Sequence, residues 1–443
     1  MFGSENLFFF LYVAAIIFAV MYLINKKEFA FADKVTLASA FIYLTLLVSM
    51  AIEGNIVYEK FLNFRWYLAI FLLFISVIFR GPMFKLNFLN ILMLVYNLFM
   101  YLSCMQSPSP KLTFYRSAAF SLIIVTIFSL DKKLTSALIK VFWDLVYIYH
   151  TFVIVLLSIP FLLTKDFYFF EGVLNNSNGL ASVIGIAVPY LFARMLYEKT
   201  RQKIYIVIFI LALFVTFLAH SRNIMVGIIA GILFIIYKQK KGFLKIAVFA
   251  SICLAILFYI YDASGVIGLS KSYIIKDKSL PVFSQSGAYD STLFNAERYK
   301  NIETAKEYFL QQSLFGWGYG ISPEGLYEDW QGELTISKGA SREKGTSWLA
   351  TLEELGIIGS LPLFICLFLL YKIIFSKINF ETELDKTIFY GLCGSNIVLV
   401  ISATTEAWLI APGSVPFFIF WFNSVCLVRF YLSTKTKLKP ALT

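Results

Sequence analysis

Residues Leu7 to Ile24 read LFFFLYVAAIIFAVMYLI, a run with no charged side chain, no proline and no glycine. A helix of that length rises about 27 Å, nearly the full hydrocarbon thickness of a bilayer. A surface helix of a soluble domain is apolar along one stripe only, so a run apolar on every side predicts a membrane span. The residues before it, Met1 to Asn6, hold no basic cluster, and no small-residue cleavage site follows; the run is expected to be a retained span and not a signal peptide.

The same signature recurs outward along the chain. Further runs lie at Val35 to Ile52, Trp66 to Phe79, Leu86 to Cys104, Phe114 to Leu130, Val141 to Leu163, Leu180 to Tyr197, Ile204 to Ala219, Ile224 to Tyr237, Phe243 to Tyr261, Leu355 to Phe375, Ile388 to Ala403 and Val415 to Leu432. Thirteen spans are counted, and the expected fold is an all-α polytopic membrane protein of about 12–14 transmembrane helices. Composition agrees: of 443 residues, 59% are hydrophobic and only 15% charged, against roughly 25% charged in a soluble domain. The net charge of +11 resides mostly in short clusters between apolar runs, where it acts as a topology signal, so nucleic acid is not an expected partner. Five cysteines lie in or beside apolar segments, and the two histidines, His150 and His220, are too few for a histidine metal site. Neither a metal nor a cofactor is expected.

Basic clusters fall at alternate connections: Lys26-Lys27, Arg80 with Lys85, Lys132-Lys133 with Lys140, Lys199 to Lys203, Lys238 to Lys241, Lys372 to Lys377 and Lys435 to Lys439. The positive-inside rule makes that side cytoplasmic and turns the one long polar interval, residues 262–350, outward. Three parts are expected: a bundle of about ten spans over 1–261, the large extracytoplasmic loop over 262–350 with an amphipathic helix near 291–312, and further spans over 351–443. Within the loop, Phe294, Arg298, Ile302, Ala305 and Phe309 recur at helical steps, which puts one arginine on the apolar face. An amphipathic helix on the bilayer surface with Arg298 snorkelling is the plain alternative. Short outer connections near 53–60, 107–111, 165–179, 220–223 and 404–413 are expected to form a floor beneath the loop.

Arginines on that outer side run against the usual bias. Arg65, Arg116 and Arg222 stand at outer span ends, and Arg298 and Arg342 lie in the loop. Each could anchor to headgroups. Arg222 is the exception, because His220-Ser221-Arg222-Asn223 is too short to be a free loop, and an arginine held at the interface favours an anion such as phosphate, which its planar fork binds through two oxygens. Outer aromatic residues, among them Trp317 and Tyr319, could stack on sugars or sit in the interfacial belt.

Three pieces in order carry a resemblance: Asn175-Asn176-Ser177-Asn178-Gly179-Leu180-Ala181; Ser221-Arg222; and Arg298, followed by Gly316-Trp317-Gly318-Tyr319-Gly320 and Leu352-Glu353-Glu354-Leu355-Gly356-Ile357-Ile358-Gly359. The set resembles the O-antigen ligase and O-antigen polymerase (Wzy-type) superfamily of bacterial surface-polysaccharide assembly, over roughly Asn175 to Leu370. The resemblance implies a multi-pass, GT-C-like glycosyltransferase of the bacterial cytoplasmic (inner) membrane, its loop periplasmic or extracellular. It implies undecaprenyl-diphosphate-linked glycans as donor and acceptor, metal-independent chemistry, and a partner that regulates chain length. Arg222 and Arg298 match the family's arginines and are the expected catalytic pair; Arg65, Arg116, Asn178, His220, Trp317, Tyr319 and Arg342 are the expected substrate-binding set.

One departure matters. Ligases of the family tend to carry His-Asn nine residues before the Glu-Leu-Gly run, where this chain has Gly345-Thr346. Polymerisation of lipid-linked repeats is therefore favoured over transfer to lipid A core. A flippase or other transporter is the alternative from another class; it predicts inverted repeats and ionisable residues near the midplane, whereas no repeat is seen and ionisable residues inside spans are few, Asp144 and His150 in one and Arg194 toward the cytoplasmic end of another. A non-catalytic scaffold would leave both Arg222 and Arg298 replaceable.

Overall fold

The computed structural model describes residues 4–52, 58–80, 87–131, 134–163, 170–174, 176–219, 221–238, 291–323, 326–328, 334–336, 345–380 and 382–437. Its helices are α1 (Ser4–Ile24), α2 (Phe31–Ser49), α3 (Tyr58–Arg80), α4 (Phe88–Leu102), α5 (Pro110–Asp131), α6 (Ser136–Leu162), α7 (Ser177–Tyr197), α8 (Gln202–Leu218), α9 (Arg222–Lys238), α10 (Ser291–Gln311), α11 (Ser347–Phe375), α12 (Glu383–Ser402) and α13 (Val415–Lys437). Among the described residues nine helices are long and apolar enough to cross a membrane, and three shorter apolar helices cover Phe64–Phe79, Gln202–Leu218 and Asn223–Lys238. The chain is an all-α polytopic membrane protein. The expected span at 243–261, His220 and Arg342 lie outside the described residues. The one sheet among them is a small antiparallel hairpin, β1 (Leu326–Glu328) with β2 (Leu334–Ile336), pairing Tyr327 with Thr335.

Helix starts follow from local chemistry. Asn87, Thr135, Asn176 and Thr382 each accept a backbone N–H from the first turn of α4, α6, α7 and α12, at 3.0, 3.3, 2.9 and 3.0 Å. Such caps satisfy donors that a helix cannot satisfy itself.

Close packing at the centre depends on small residues. A Cβ on Gly231 would stand 2.8 Å from the Gly394 carbonyl oxygen, and one on Gly227 2.9 Å from the Val398 Cα, so α9 and α12 run antiparallel almost backbone to backbone. Lipid chains are as apolar as leucine, and close approach of this kind supplies the dispersion contact that holds membrane helices together. Pro189 lacks the N–H that the Gly185 carbonyl would take; α7 turns at Ile186, whose carbonyl accepts the Ser395 hydroxyl at 2.8 Å.

The ionisable residues inside spans are knitted to one another. Arg194 is buried, pairs with Asp144 at 3.3 Å and with Glu198, and donates to the Tyr205 hydroxyl at 3.1 Å. Tyr190 donates to Asp144 at 2.9 Å. His150 and Tyr12 are 2.8 Å apart, with the Tyr12 hydroxyl donating to the Thr45 carbonyl. These groups join α1, α2, α6, α7 and α8.

Candidate active site at the loop end

α11 is interrupted. Gly356 sits at φ 63°, ψ −172°, outside helical geometry, within the first third of Ser347–Phe375. A continuous helix would send the Ile357 and Ile358 N–H groups to the carbonyls of Glu353 and Glu354. Here they donate instead to Ser313 and Leu314, at 2.8 and 3.1 Å, and the vacated carbonyls accept from Trp317 and Gly318, at 3.0 and 2.9 Å. Residues 313–318 thus plug the break and satisfy four backbone groups, each of which would cost several kcal/mol if bare in hydrocarbon. A Cβ at Gly316 (φ 71°) would fall 2.4 Å from the Glu354 carbonyl carbon, and one at Gly356 2.3 Å from that of Leu314. Glycine is required on both sides of this joint because backbone lies against backbone.

The joint sets residues 319–322 in place. The buried Glu354 carboxylate accepts the Gly320 N–H at 2.7 Å, and the Ser322 hydroxyl reaches the buried Glu353 at 3.4 Å. Gly320 (φ 76°) lies directly against the Arg116 side chain, 3.0 Å from a Cβ position to Nη1. Tyr319 is buried; its N–H donates to Ser103 Oγ and its hydroxyl to the Ile410 carbonyl. Burial first, and then the nearby Glu354 carboxylate, hold this phenol well above its ordinary pKa, so it stays an O–H donor. Tyr319 was expected to face substrate; its ring edge is instead against Phe120 and its hydroxyl is committed to the fold. Trp317 is half-buried and pins α10, its indole N–H donating to the Tyr308 carbonyl at 2.9 Å.

A second connection gathers the remaining elements. Ser347, opening α11, donates its N–H to Ala403 and its hydroxyl to Glu406, and accepts the Leu409 N–H. Asn223 donates to Thr405 at 2.6 Å, which ties the first turn of α9, and hence position 222, to the same loop. Gly413 (φ 85°) lies against Arg65 and Trp66, and the Arg65 guanidinium sits 4.9 Å from the Trp66 ring centroid. Residues 403–413 are therefore the hub around which Arg65, position 222, Tyr319 and the start of α11 meet.

Among the described residues neither Arg65 nor Arg116 has a carboxylate within ion-pairing distance, and Arg65 Nε is out of solvent with no acceptor. They lie in the first half of α3 and of α5, helices that pack on one another. Asn178 lies half-buried in the first turn of α7, where Gly185 further along packs on Ile224 of α9. Position 298 lies in α10, and α10 packs on α11. The buried side of α10 runs through Ala305, with Tyr308 and Phe309 half-buried, whereas Ile302 is 38% exposed, so the packed face is rotated from the stripe the spacing predicts. The side chains of Arg222 and Arg298 lie outside what the structure describes.

Sequence reasoning singled out the alternate glycines and the Glu-Glu-Leu-Gly run separately and missed that they are two halves of one joint. The signal available was a glycine within a span, facing a glycine-rich segment about forty residues earlier. It also treated Ser347 and Asn223 as unremarkable, although both serve the hub.

Residues 207–364 match the family model described as O-antigen ligase. The matched segment runs from α8 into α11 and takes in position 222, α10, the glycine-rich segment and the Gly356 break. No curated protein matches the chain.

Proposed function

We propose, from the match of residues 207–364 to the family model described as O-antigen ligase and from the multi-pass membrane fold, a glycosyltransferase that polymerises lipid-linked oligosaccharide repeats without a metal. The donor would be a polyprenyl-diphosphate-linked glycan, and the loop end would face outward from a bacterial cytoplasmic membrane. The bond from the anomeric carbon to the diphosphate oxygen breaks, the diphosphate leaves with the electron pair, and a sugar hydroxyl of the acceptor repeat forms the new glycosidic bond as it loses its proton. A diphosphate is already a good leaving group, so the protein has mainly to neutralise growing charge and align the hydroxyl. Arg222 and Arg298 are assigned that charge, with Arg65 and Arg116 holding further phosphate oxygens at the rim. Asn178, His220, Trp317 and Arg342 remain candidates for the saccharide side, and Tyr319 becomes a positioning residue.

The observation that carries the polymerase reading is Gly345. It occupies the place where ligases of the family tend to carry histidine, and its φ of 66° is a conformation that side-chain-bearing residues rarely adopt. Thr346 beside it is used to cap α11 by accepting the Trp348 N–H. The backbone here is built for a turn and not for a histidine aimed at substrate. The match to a family described as O-antigen ligase is compatible with polymerisation and ligation alike, and ligation to lipid A core is the second reading.

The deciding assay gives the purified protein lipid-linked repeats and no core acceptor. A ladder of longer glycans is the expected result. Product formed only when lipid A core is added would replace polymerase by ligase, and no covalent product in either case would turn the reading to transport.

A further inference from the structure

Away from the loop end, buried polar groups that the proposed reaction does not use meet along α6. Residues Asp144–His150 open there from an α-helix into the wider π form, and side chains from that segment reach α7 and α13. Asp144 pairs with Arg194 and accepts the Tyr190 hydroxyl, both on α7. Tyr147 lies against the Tyr190 ring, centroids 5.1 Å apart, and its hydroxyl accepts from Asn423 Nδ2 of α13 at 2.7 Å. Trp143, four residues earlier, stacks on Tyr147 at 4.8 Å. Trp143, Tyr147, Tyr190, Arg194 and Asn423 are each exposed by 1% or less.

The hydrogen-bonding capacity of this cluster is not used up within the protein. Trp143 Nε1, Arg194 Nε and Nη1, and Asn423 Oδ1 are out of solvent and have no partner among the described residues, which leaves donors and an acceptor together in a bundle where lipid can serve neither. The charges already balance, Arg194 and Lys140 against Asp144 and Glu198, so no further ion is needed. A ligand that serves both kinds of group must itself donate and accept, and between rings stacked this closely it must be small. Water has both properties, and it occupies buried sites that offer it several polar partners. Asp144 and Glu198 keep 25% and 26% of their side chains exposed, which gives it a way in.

We propose that internal water molecules are bound along this segment of α6, between the Arg194 guanidinium and Asn423. The buried guanidinium is then solvated from within the bundle, and α6, α7 and α13 are joined through shared water as well as by direct contact.

The test is millisecond X-ray hydroxyl-radical labelling of the purified protein in nanodiscs, read residue by residue by mass spectrometry. Water bound beside a side chain makes radicals in place, so Trp143 and Tyr147 should be modified about tenfold faster, after correction for intrinsic reactivity, than the equally buried Phe41 and Phe389. That labelling should survive a radical scavenger in the bulk solvent. Rates as low as those of the two phenylalanines, or labelling abolished by the scavenger, would overturn the proposal. Trp143→Phe gives a second measurement, because it keeps a ring and removes the N–H. If water serves that N–H, the variant should lower Tyr147 labelling about threefold and leave Tm unchanged or lower. A bare N–H predicts the reverse, a higher Tm with Tyr147 labelling unchanged, and that result would also overturn the proposal. The wild-type labelling needs no variant, so it decides the matter if Trp143→Phe fails to accumulate.

Discussion

Arginine is used in opposite ways at the two ends of this molecule. At the end away from the loop, Arg194 is buried, ion-paired with Asp144 and Glu198, and donates to Tyr205. At the loop end, Arg65 and Arg116 are half-buried beside Gly413 and Gly320 and have no carboxylate partner among the described residues. A paired guanidinium is a joint between helices. A guanidinium held in place and left unpaired is suited to an anion that arrives from outside, and the desolvation already imposed on it strengthens that interaction. Under the proposed function, the difference separates residues that hold the bundle together from residues that would hold a ligand.

The largest effects should break this comparison in activity. Arg222→Ala and Arg298→Ala are each expected to reduce glycan-ladder formation about a hundredfold to a thousandfold, the usual effect of losing one donor to developing charge. Expression, monodispersity and thermal stability should be unchanged. Full activity in either variant would remove that arginine from the charge-stabilising role.

The next effect is on stability, at the other end. Arg194→Ala leaves Asp144 and Glu198 without their shared cation and should destabilise the protein by about 3 kcal/mol, read as a large drop in Tm or failure to accumulate. Arg116→Ala should do the reverse: stability within about 0.5 kcal/mol of wild type, with the ladder reduced about tenfold as one phosphate contact is lost. If Arg116→Ala unfolds the protein, or Arg194→Ala folds normally and is inactive, the two ends have been assigned the wrong way round.

Much of this was legible before any coordinates. Runs such as Leu7 to Ile24 fix the class because so many long helices apolar on all sides exceed what a soluble core can bury, and twelve of the thirteen counted spans coincide with helices in the described residues. The pairing of Arg194 with Asp144 was not legible, since the two lie fifty positions apart on different helices and spacing says nothing about which helices touch. The joint at Gly356 escaped for a related reason. Periodicity reads one segment at a time, and the plugging of a helix break by residues 313–318 is a backbone exchange that leaves no side-chain pattern beyond the glycines themselves. For Tyr319, sequence sees an aromatic ring in a polar loop, and only packing shows that the hydroxyl is spent on Ile410.

Gly356→Ala sharpens the same contrast from within the joint. The new methyl would have to overlap the Leu314 carbonyl at a positive φ, costing about 1–2 kcal/mol for conformation alone and more if the four exchanged hydrogen bonds part. Loss should appear first as protease cleavage between α10 and α11, ahead of global unfolding, because the plug is local. Cleavage no faster than in wild type would mean the break is not held by residues 313–318.

The smallest expected effect concerns Glu354, whose carboxylate accepts the Gly320 N–H beside Arg116. Glu354→Gln keeps an oxygen in the same place and should change stability by less than about 1 kcal/mol, whereas Glu354→Ala leaves that N–H bare at a cost of about 1–3 kcal/mol. Activity tells positioning from chemistry. A positioning role predicts that the glutamine variant retains ladder formation within about threefold, since the Gly320 contact survives; a general base would lose about a hundredfold or more on the same substitution, because an amide cannot take the acceptor proton. The hydrogen bond to Gly320 supports the positioning role, and a near-complete loss in Glu354→Gln at unchanged Tm would transfer the base to this residue.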